Sequence, residues 1–526
     1  MKNNIEFKHF RKFENFPKLD FNDITFVVGK NNSGKSTFVK AFVMVYNYLK
    51  SGNLKHLDLN QGSVELLNIV TFDRALCKTM TNREDKNYIP ISVKLDHYEF
   101  FLNVTGEKNS TILDVLNFKI IDNSTFFTIE IEPQKEHAII SYSYKEIIAN
   151  DTLIGALQHK NELEKTLESI NDQLSKESID IKNQIEKLSK NIESLHSSKK
   201  EKETSFTVES DYMGDDFQQL FADIFKELEV KYWRENPNMQ LIEKNLDNIN
   251  NEVNDLEIEL DSDLVLEETN EDVFNDLRYY YINRNKFNFF SEKFISFIKE
   301  SKIFYLPATL NKQSALLSIR DKNNDLAEVV HKYFQLGLQD NPIILAFIKE
   351  WIIKFEIGTD LKIELINGEA YSVQLKENEV WIPLADKGMG SIQAVLLILR
   401  LASVIYYKEQ KNKNSNFDFF IIVEEPELNL HPALQSKLCD LFFQVYVKNK
   451  IKFIIETHSE YIIRKTQLLV KENDFEIAPN ENPFAVLYFN DDLKVWNMNY
   501  RQDGRFSNEF GTGFFDESSN LAFELM

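Results

Sequence analysis

The sequence predicts an α/β fold: a mixed sheet with flanking helices and an antiparallel subsheet, interrupted by an antiparallel coiled-coil insertion. Three features support this prediction: an apolar strand that leads into a glycine-rich loop and a helix, two later apolar runs that each end in acidic residues, and a long heptad pattern in mid-chain. We expect residues 1–150 and 266–526 to form one head. Residues 151–265 would form the insertion, with its tip at about residues 205–240.

The glycine-rich loop has the spacing of a phosphate loop and follows the apolar run at residues 24–28. It reads Gly29, Lys30, Asn31, Asn32, Ser33, Gly34, Lys35, Ser36 and Thr37. The glycines let backbone N–H groups turn toward phosphate oxygens, and the helix predicted for residues 37–49 presents the positive end of its dipole. In this pattern Lys35 reaches the β/γ-phosphates and Ser36 ligates Mg²⁺. The loop therefore predicts a site for a nucleoside triphosphate and Mg²⁺.

A second apolar run, residues 417–423, is interrupted only by Asp418 and ends in Glu424 and Glu425. Such a run is typical of a strand that is buried on both faces of a sheet. We expect Glu424 to hold the water shell of the metal and Glu425 to orient or deprotonate the attacking water, because phosphoryl transfer depends on positioning and charge stabilisation. The alternative is an acidic turn before a helix that begins at Pro432.

A third apolar run, residues 451–455, is followed by Glu456, Thr457 and His458. A histidine at the carboxyl end of a strand can meet the γ-phosphate, and the position of His458 after two acids favours that role. Taken alone, a histidine is more often a capping or core residue.

Gly388, Gly390 and Ser391 precede a helix predicted for residues 392–407. Amide groups at a helix N-terminus can bind an anion, although a flexible junction between a loop and a helix has the same sequence. Given the order of the motifs, we expect this segment to complete the nucleotide site of a second subunit.

The order of these motifs resembles the ATP-binding-cassette (ABC) ATPases of the overcoming-lysogenization-defect type, soluble relatives of the chromosome-maintenance and recombination ATPases. The resemblance covers about residues 1–150 and 300–526, and it implies ATP as the nucleotide with Glu425 and His458 in catalysis. Residues 7–13 are similar to the first strand of those heads, where a basic or aromatic side chain approaches the adenine. This similarity implies a nucleotide contact for Arg11. Residues 511–517 resemble the C-terminal end of one bacterial subfamily in this group.

Two features depart from the family pattern. Glu424 stands where most cassette ATPases have aspartate, and residues 388–391 lack the Leu-Ser-Gly-Gly-Gln form. Slow turnover is therefore expected.

Two heptad seams predict an antiparallel coiled-coil hairpin that leaves and re-enters the head. The first seam consists of Leu163, Leu167, Ile170, Leu174, Ile181, Ile185, Leu188, Ile192 and Leu195. The second seam consists of Ile242, Leu246, Ile249, Val253, Leu256 and Leu260. A charged helix that lies along the domain is the alternative.

Outside the insertion, residues 91–105, 118–131 and 138–144 read as strands of the antiparallel subsheet, and residues 485–499 as a last strand pair. Residues 274–300 read as a helix rich in aromatic residues. We expect these aromatic side chains to serve core packing or a protein interface, with base stacking as the alternative.

The composition restricts the class of protein. With 61 basic and 83 acidic residues the net charge is −22. The overall charge of the protein therefore does not attract nucleic acid, and any DNA contact must be made by a local surface. The two cysteines are too few for a disulfide framework. Residues 394–407, the most apolar run, contain Arg400 and are too short for a membrane span, and no secretory leader is expected. These features favour a cytoplasmic protein without membrane contact.

The resemblance implies a head-to-head dimer or larger homo-oligomer in which ATP binding, more than rapid turnover, is the signal. It implies a sensor or clamp in bacterial defence against phage or mobile DNA that controls a separate effector, such as a nuclease encoded nearby. A DNA-tethering or repair ATPase without a toxic effector is the main alternative. The insertion and the altered segment at residues 388–391 argue against a transporter motor. Intrinsic nuclease activity is disfavoured, because a metal-dependent catalytic domain is expected after Glu460, where Asp491 and Asp492 are too little to build one.

Overall fold

The computed structural model describes residues 3–51, 53–80, 87–123, 127–133, 138–148, 200–210, 221–222, 290–308, 314–321, 324–411, 419–473, 482–511, 514–516 and 523–524. In this part of the chain a mainly parallel sheet, an antiparallel sheet and a small third sheet pack around helices. This arrangement confirms the predicted α/β fold class.

Strands and helices are numbered in chain order. The strands are β1 (Asn3–Phe10), β2 (Phe13–Phe21), β3 (Ile24–Gly29), β4 (His56–Asp58), β5 (Ile89–Leu95), β6 (Tyr98–Thr105), β7 (Ile112–Asp122), β8 (Phe127–Pro133), β9 (Ala138–Ile148), β10 (Lys200–Ser210), β11 (Lys302–Leu306), β12 (Leu317–Ser318), β13 (Asp360–Ile366), β14 (Ala370–Glu377), β15 (Val380–Pro383), β16 (Phe419–Glu424), β17 (Ile451–Glu456), β18 (Phe484–Phe489) and β19 (Val495–Asn497). The helices are α1 (Lys35–Ser51), α2 (Phe72–Ala75), α3 (Asp325–Gln335), α4 (Pro342–Lys354), α5 (Met389–Lys411), α6 (Pro432–Asn449) and α7 (Glu460–Glu472). Residues 290–300 are also helical, and short 3₁₀ turns lie at Gly62–Leu67, Leu338–Asp340 and Leu384–Asp386.

Among the described residues, six strands form the central sheet in the order β11-β16-β17-β3-β18-β19. The first five run parallel, and β19 is antiparallel to β18. Val27 of β3 faces a core shared with α1 and the antiparallel sheet, whereas Phe26 and Val28 face the core on the opposite side. Because both faces are covered, these strands are continuous apolar runs, and the sequence pattern predicted them for that reason.

The second sheet is antiparallel, with the order β10-β9-β8-β7-β6-β5-β1-β2 and β4 beside β7. It is the predicted subsheet. Residues 91–105, predicted as one strand, instead belong to the hairpin β5–β6, because the chain turns at Asp96, which has a φ of 55°. Residues 118–131 divide in the same way between β7 and β8. An Asp-His turn is hard to recognise in a sequence, since two-residue hairpin turns favour asparagine and glycine.

Helix α1 lies between the two sheets and carries the phosphate loop at its N-terminus. Phe38, Phe42 and Met44 are buried in a core to which both sheets contribute. Since a helix that is apolar on nearly all sides is held from every direction, the first turn of α1 has a fixed position relative to β3.

Helices α3 to α7 cover the opposite face of the central sheet together with the small sheet β12-β14-β13, in which β15 also pairs with β14. Helix α5 is longer than the apolar run considered above, and by length and composition alone residues 389–410 could cross a membrane. Within this apolar stretch 67% is buried inside the protein, and Arg400 pairs with Asp325 of α3 at 3.2 Å. A buried core helix has the same composition, so the length of α5 is weak support for a membrane span.

Part of the region predicted as the tip of the insertion lies on the head. Strand β10 pairs with β9 along its whole length. Phe221 is buried against Phe290 and Phe294, with ring centroids 6.0 and 5.8 Å apart. Strand pairing and aromatic packing therefore attach these residues to the head, which corrects the prediction of a free tip over residues 205–240 at these positions. Both heptad seams lie outside the described residues, so the coiled coil stays a prediction.

The described end of the aromatic-rich helix also packs into the head. Phe290, Phe294 and Phe297 are buried, and the last two contact the rings of Tyr98 and Phe100 on β6. For these three side chains the structure confirms core packing. The earlier aromatic residues of this helix lie outside the described residues.

Candidate active site

The phosphate loop, both acidic segments and the histidine converge at the carboxyl edge of the central sheet. Strands β16, β17 and β3 are parallel neighbours, so the loops that follow them begin side by side. Their register pairs Glu424 with Glu456, and Glu456 with Val27. Ligands of open α/β sheets bind at the carboxyl ends of the strands. Motifs that are far apart in the sequence thus belong to one site.

The phosphate loop requires glycine at two positions. Gly29 and Gly34 have φ values of 148° and 103°. A Cβ atom at Gly34 would lie 2.5 Å from the ring of Phe13, and one at Gly29 would lie 2.2 Å from the carbonyl oxygen of Phe489. Strands β2 and β18 therefore approach the loop so closely that a side chain fits at neither position.

Lys35 lies inside this loop. Its ammonium group donates hydrogen bonds to the carbonyl oxygens of Gly29 and Lys30, at 3.0 and 2.9 Å, and 4% of the side chain is exposed. The hydroxyl of Ser33 is buried without a hydrogen-bond partner. A buried polar group without a partner is costly, and a phosphate oxygen in the loop would satisfy it. The residues present therefore fit a nucleoside triphosphate.

The other predicted loop residues divide into two groups. Asn31 and Asn32 are exposed, and Lys30 forms an ion pair with Asp491 at 2.9 Å. Thr37 is buried in the first turn of α1, where its N–H donates to the carbonyl oxygen of Gly34 at 2.9 Å. Thr37 therefore joins the loop to α1 through its backbone, with its side chain buried.

Glu456 is a site residue to which the sequence analysis gave no role. Its Oε2 accepts a hydrogen bond from the Ser36 hydroxyl at 3.1 Å, and its Oε1 lies 3.8 Å from the Lys35 ammonium group. Glu456 is 6% exposed, and burial, followed by the charge of Glu424, raises its pKa to about 7. The available signal was an acid at the end of β17, in the position that Glu424 occupies on β16.

Glu424 is held from the neighbouring edge strand. The hydroxyl of Tyr305, on β11, donates a hydrogen bond to it, and burial, followed by the charge of Glu424, raises the pKa of Tyr305. The phenol therefore stays protonated and keeps this hydrogen bond. Among the described residues no group of three or more His, Cys, Asp or Glu side chains could hold a metal by itself. Mg²⁺ usually binds one or two carboxylates together with substrate phosphates, and Ser36 and Glu424 fit such a site.

Glu425 and His458 face each other beside the loop. The Nε2 atom of His458 lies 3.8 Å from Oε1 of Glu425, and the two side chains are 33% and 34% exposed. Burial, followed by the charge of Lys35, lowers the pKa of His458 to about 4, so its imidazole is neutral near pH 7. Glu425 has a φ of 44°, and its N–H donates to the carbonyl oxygen of Glu456 at 2.8 Å. Both side chains are thus accessible to a substrate in the loop.

Glu427 links the two loops that carry Glu425 and His458. Its Oε1 accepts a hydrogen bond from the backbone N–H of His458 at 2.6 Å, and 8% of the residue is exposed. Burial raises the pKa of Glu427. This buried hydrogen bond fixes the backbone from which the imidazole projects.

Arg11 lies beside the phosphate loop, at the turn between β1 and β2. It has a φ of 52°, and its N–H donates to the carbonyl oxygen of Ala75 at 2.7 Å. A cleft of about 710 Å³ opens here, lined in part by Arg11, Lys12, Arg74 and Asn32. Lys12 donates a hydrogen bond to the carbonyl oxygen of Asn32. This basic cleft has room for the base and sugar of a nucleotide.

The segment with Gly388, Gly390 and Ser391 is separate from these residues. It lies at the start of α5, where a Cβ atom on Gly390 would be 2.6 Å from the carbonyl oxygen of Asn429. Within the described residues, no hydrogen bond joins the segment to the phosphate loop of the same chain. Its predicted role therefore requires a second subunit and stays a prediction.

A family model described as an AAA ATPase domain matches residues 1–463 of the chain. The chain belongs to the AAA ATPase domain family. The match includes the phosphate loop, both acidic segments and His458. For this AAA ATPase, nucleotide binding is thus a property of the family as well as an inference from the loop.

Structures of Smc head domains are similar to this AAA ATPase at low sequence identity. One, from Pyrococcus furiosus, has an extended coiled coil and is bound to the C-terminal domain of ScpA; it is 12% identical, with 100% of this chain and 99% of that chain covered and a TM-score of 0.35. Another, from Pyrococcus yayanosii, has a coiled coil and joint; it is 12% identical, with 96% and 98% covered and a TM-score of 0.36. Similarity at this level carries no argument about function. A search of curated proteins finds no match.

Proposed function

We propose that the chain is a Mg²⁺-dependent ATPase head of the ABC type that hydrolyses ATP slowly and works as a dimer. The observation that carries this proposal is the meeting of Lys35 and Ser36, on one strand-loop-helix unit, with Glu424, Glu425 and His458 from two neighbouring strands. Such an edge supplies the phosphate contacts, the metal ligands and the groups that act on water.

Lys35 and Ser36 bind the phosphates in this proposal. The ammonium group of Lys35 exchanges the carbonyl oxygens of Gly29 and Lys30 for β/γ-phosphate oxygens, which lie in the same loop. Ser36 would ligate Mg²⁺ and Glu424 would hold its water shell, and the ion would neutralise charge on the phosphates. Arg11 contacts the nucleotide from the adjoining cleft.

Glu425 and His458 act on the reacting atoms. Glu425 orients the attacking water and accepts its proton as the bond from water to the γ-phosphorus forms and the bond to the ADP oxygen breaks. His458, with a neutral imidazole near pH 7, donates one N–H to a γ-phosphate oxygen. A carboxylate and an imidazole 3.8 Å apart can serve both tasks at one phosphate.

A second copy of the chain completes the site with Gly388, Gly390 and Ser391. These residues lie at the start of a helix, where backbone N–H groups attract anions. A head-to-head dimer would place this segment on the γ-phosphate bound to the partner, so that ATP holds two heads together.

Substitution of Lys35 tests the nucleotide site. Lys35→Ala is expected to abolish ATP binding, because Lys35 lies inside the loop, whereas Lys30, the other lysine of the loop, is partly exposed and paired with Asp491. Titration of a fluorescent ATP analogue measures the affinity. Lys349→Ala, which removes an exposed lysine from the distant helix α4, serves as the control and should bind like the wild type. Wild-type affinity in Lys35→Ala would remove the site assignment.

We further propose that this ATPase is a cytoplasmic sensor or clamp in bacterial defence against phage or mobile DNA, and that it controls a separate effector such as a nuclease encoded nearby. The motif resemblance supports this role, and the net charge of −22 gives no support to unassisted DNA binding. The predicted coiled coil favours a second candidate, a DNA-tethering ATPase without a toxic effector. Co-purification from the native operon discriminates, since only the first role requires a stable or ATP-dependent effector partner.

A further inference from the structure

Glu456 makes its side-chain contacts with two residues of the phosphate loop. In the described structure its carboxylate is within 3.3 Å of the Ser36 hydroxyl and 3.8 Å from the Lys35 ammonium group. Both partners are the residues that meet Mg²⁺ and phosphate in this loop pattern. The buried acid is therefore attached to the nucleotide site and not to a separate ion pair elsewhere in the fold.

Charge balance makes Lys35 important for Glu456. Breaking a buried ion pair by removing one partner leaves an uncompensated charge, which is strongly unfavourable. Glu456 is 6% exposed, its register neighbour is another acid, Glu424, and Lys35 is the cation within ion-pair distance in the described structure. When Lys35 turns to the phosphates of ATP, a second cation beside Glu424 and Glu456 would restore the charge balance.

The distance between Glu456 and Ser36 suits a shared Mg²⁺ ion. This ion takes octahedral ligands at about 2.1 Å, so two adjacent ligand oxygens lie about 3.0 Å apart. The Ser36 hydroxyl and Oε2 of Glu456 are separated by 3.1 Å. The ion could therefore replace their hydrogen bond with little movement of either side chain.

A second feature of the same loop points independently to a ligand. Ser33 is 2% exposed, and its hydroxyl has no hydrogen-bond partner. Because buried hydroxyl groups are almost always paired, this loop is built for an additional acceptor, such as a phosphate oxygen. The site beside Glu456 is thus more than a group of acids.

We propose that Glu456 is a direct ligand of the Mg²⁺ ion that accompanies ATP, adjacent to Ser36 in the coordination sphere, with Glu424 behind it in the water shell. The inference rests on the proposed nucleotide site and adds a second carboxylate to it. It also gives Glu456 two partners in succession: Lys35 before the phosphates bind, and Mg²⁺ afterwards.

The test is the Mg²⁺ dependence of nucleotide binding by the full chain, measured with a fluorescent ATP analogue and not with turnover. Loss of an outer-shell partner typically weakens metal affinity by about 10–100-fold, and loss of a direct ligand should cost at least as much, so Glu456→Gln should raise the Mg²⁺ midpoint by at least about tenfold. Binding of the analogue in EDTA should stay unchanged or become tighter, since a negative charge near the phosphates is removed.

Glu350→Gln is the control, because Glu350 is an acid on α4 that pairs with Lys354 at 2.6 Å and lies outside the nucleotide site. Its Mg²⁺ midpoint should equal that of the wild type. Should Glu456→Gln fail to fold, Glu456→Asp keeps the charge but withdraws the oxygens, and the same rise is expected.

Three outcomes would overturn or redirect the inference. An unchanged Mg²⁺ midpoint in a folded Glu456 variant overturns it. Equal weakening with Mg²⁺ and in EDTA shows that Glu456 only supports the loop, which also overturns it. If the wild type binds no analogue under any condition, the proposed nucleotide site itself fails, and this result is distinct from both others.

Discussion

At the scale of single residues, burial and neighbouring charge divide the tasks at the site. Burial favours the neutral form of an ionisable group, so it lowers the pKa of His458 to about 4 and raises the pKa of Glu456 to about 7. Near pH 7 the imidazole of His458 is therefore a neutral hydrogen-bond donor. Glu425, which is one-third exposed beside it, has access to water.

Glu425→Gln is expected to keep ATP binding and to stall hydrolysis. The amide preserves shape and hydrogen bonding but cannot accept a proton, and loss of a general base lowers the rate by about 10²–10⁴-fold. Phosphate release measures turnover, and light scattering should show that ATP traps the variant as a dimer. Glu460→Gln, a partly exposed acid paired with Arg464 at 3.0 Å, is the control. Normal hydrolysis in Glu425→Gln would transfer the base role to Glu427 or His458.

At the scale of secondary-structure elements, the head includes part of the region that the sequence analysis assigned to the insertion, residues 151–265. Strand β10 extends the antiparallel sheet, and Phe221 packs against Phe290 and Phe294 in the core of the head. Deletion of residues 157–260 would remove both. We therefore expect such a deletion to destabilise the head. A coiled coil that packed only on itself could be deleted without this effect.

Phe221→Ala tests this attachment with a single change. Truncation of a buried phenylalanine costs about 3–5 kcal/mol through lost burial and a residual cavity, and Phe221 is 4% exposed. Chemical denaturation of the full chain measures the difference in the free energy of unfolding. Phe101→Ala, which truncates a ring that is 42% exposed on β6, should have a much smaller effect. Equal stability of both variants would show that residue 221 does not belong to the core of the head.

At the scale of the whole molecule, the charge and the inventory of motifs point to a chain that acts through a partner. The net charge of −22 opposes unassisted binding to a phosphate backbone, which depends on clustered lysine and arginine. The acidic and basic motifs recognised in the sequence are all used by one nucleotide site. ATP-driven pairing of two heads would then change a surface that a second protein binds.

The purified chain alone is therefore expected neither to cleave DNA nor to protect cells from phage. Expression of its gene with and without the operon neighbour, in a phage-challenged host, measures protection. Lys35→Ala expressed together with the neighbour is the control and should lose the protection. Protection or metal-dependent DNA cleavage by the lone chain would contradict the proposed division of labour.

Much of this molecule follows from local sequence. The loop from Gly29 to Ser36 specifies its own conformation, because glycine spacing and a following helix suffice to build a phosphate cradle. The strands that end at Glu424 and Glu456 are recognisable because both faces of a parallel strand are buried, which leaves a continuous apolar run. For the same reason the α/β fold class and the position of the acids at strand ends are predictable.

Tertiary structure alone decides which of these ends meet. Ser36 and Glu456 are 420 positions apart in the chain. They form a hydrogen bond because β17 lies next to β3 in the sheet. The burial of Phe221 against Phe290 likewise depends on a contact between residues far apart in the chain, which local propensity does not encode. A sequence pattern indicates whether a side chain is buried, but strand order and packing determine which residues it contacts. The contacts of Glu456 with Ser36 and Lys35 are therefore decided by the tertiary structure.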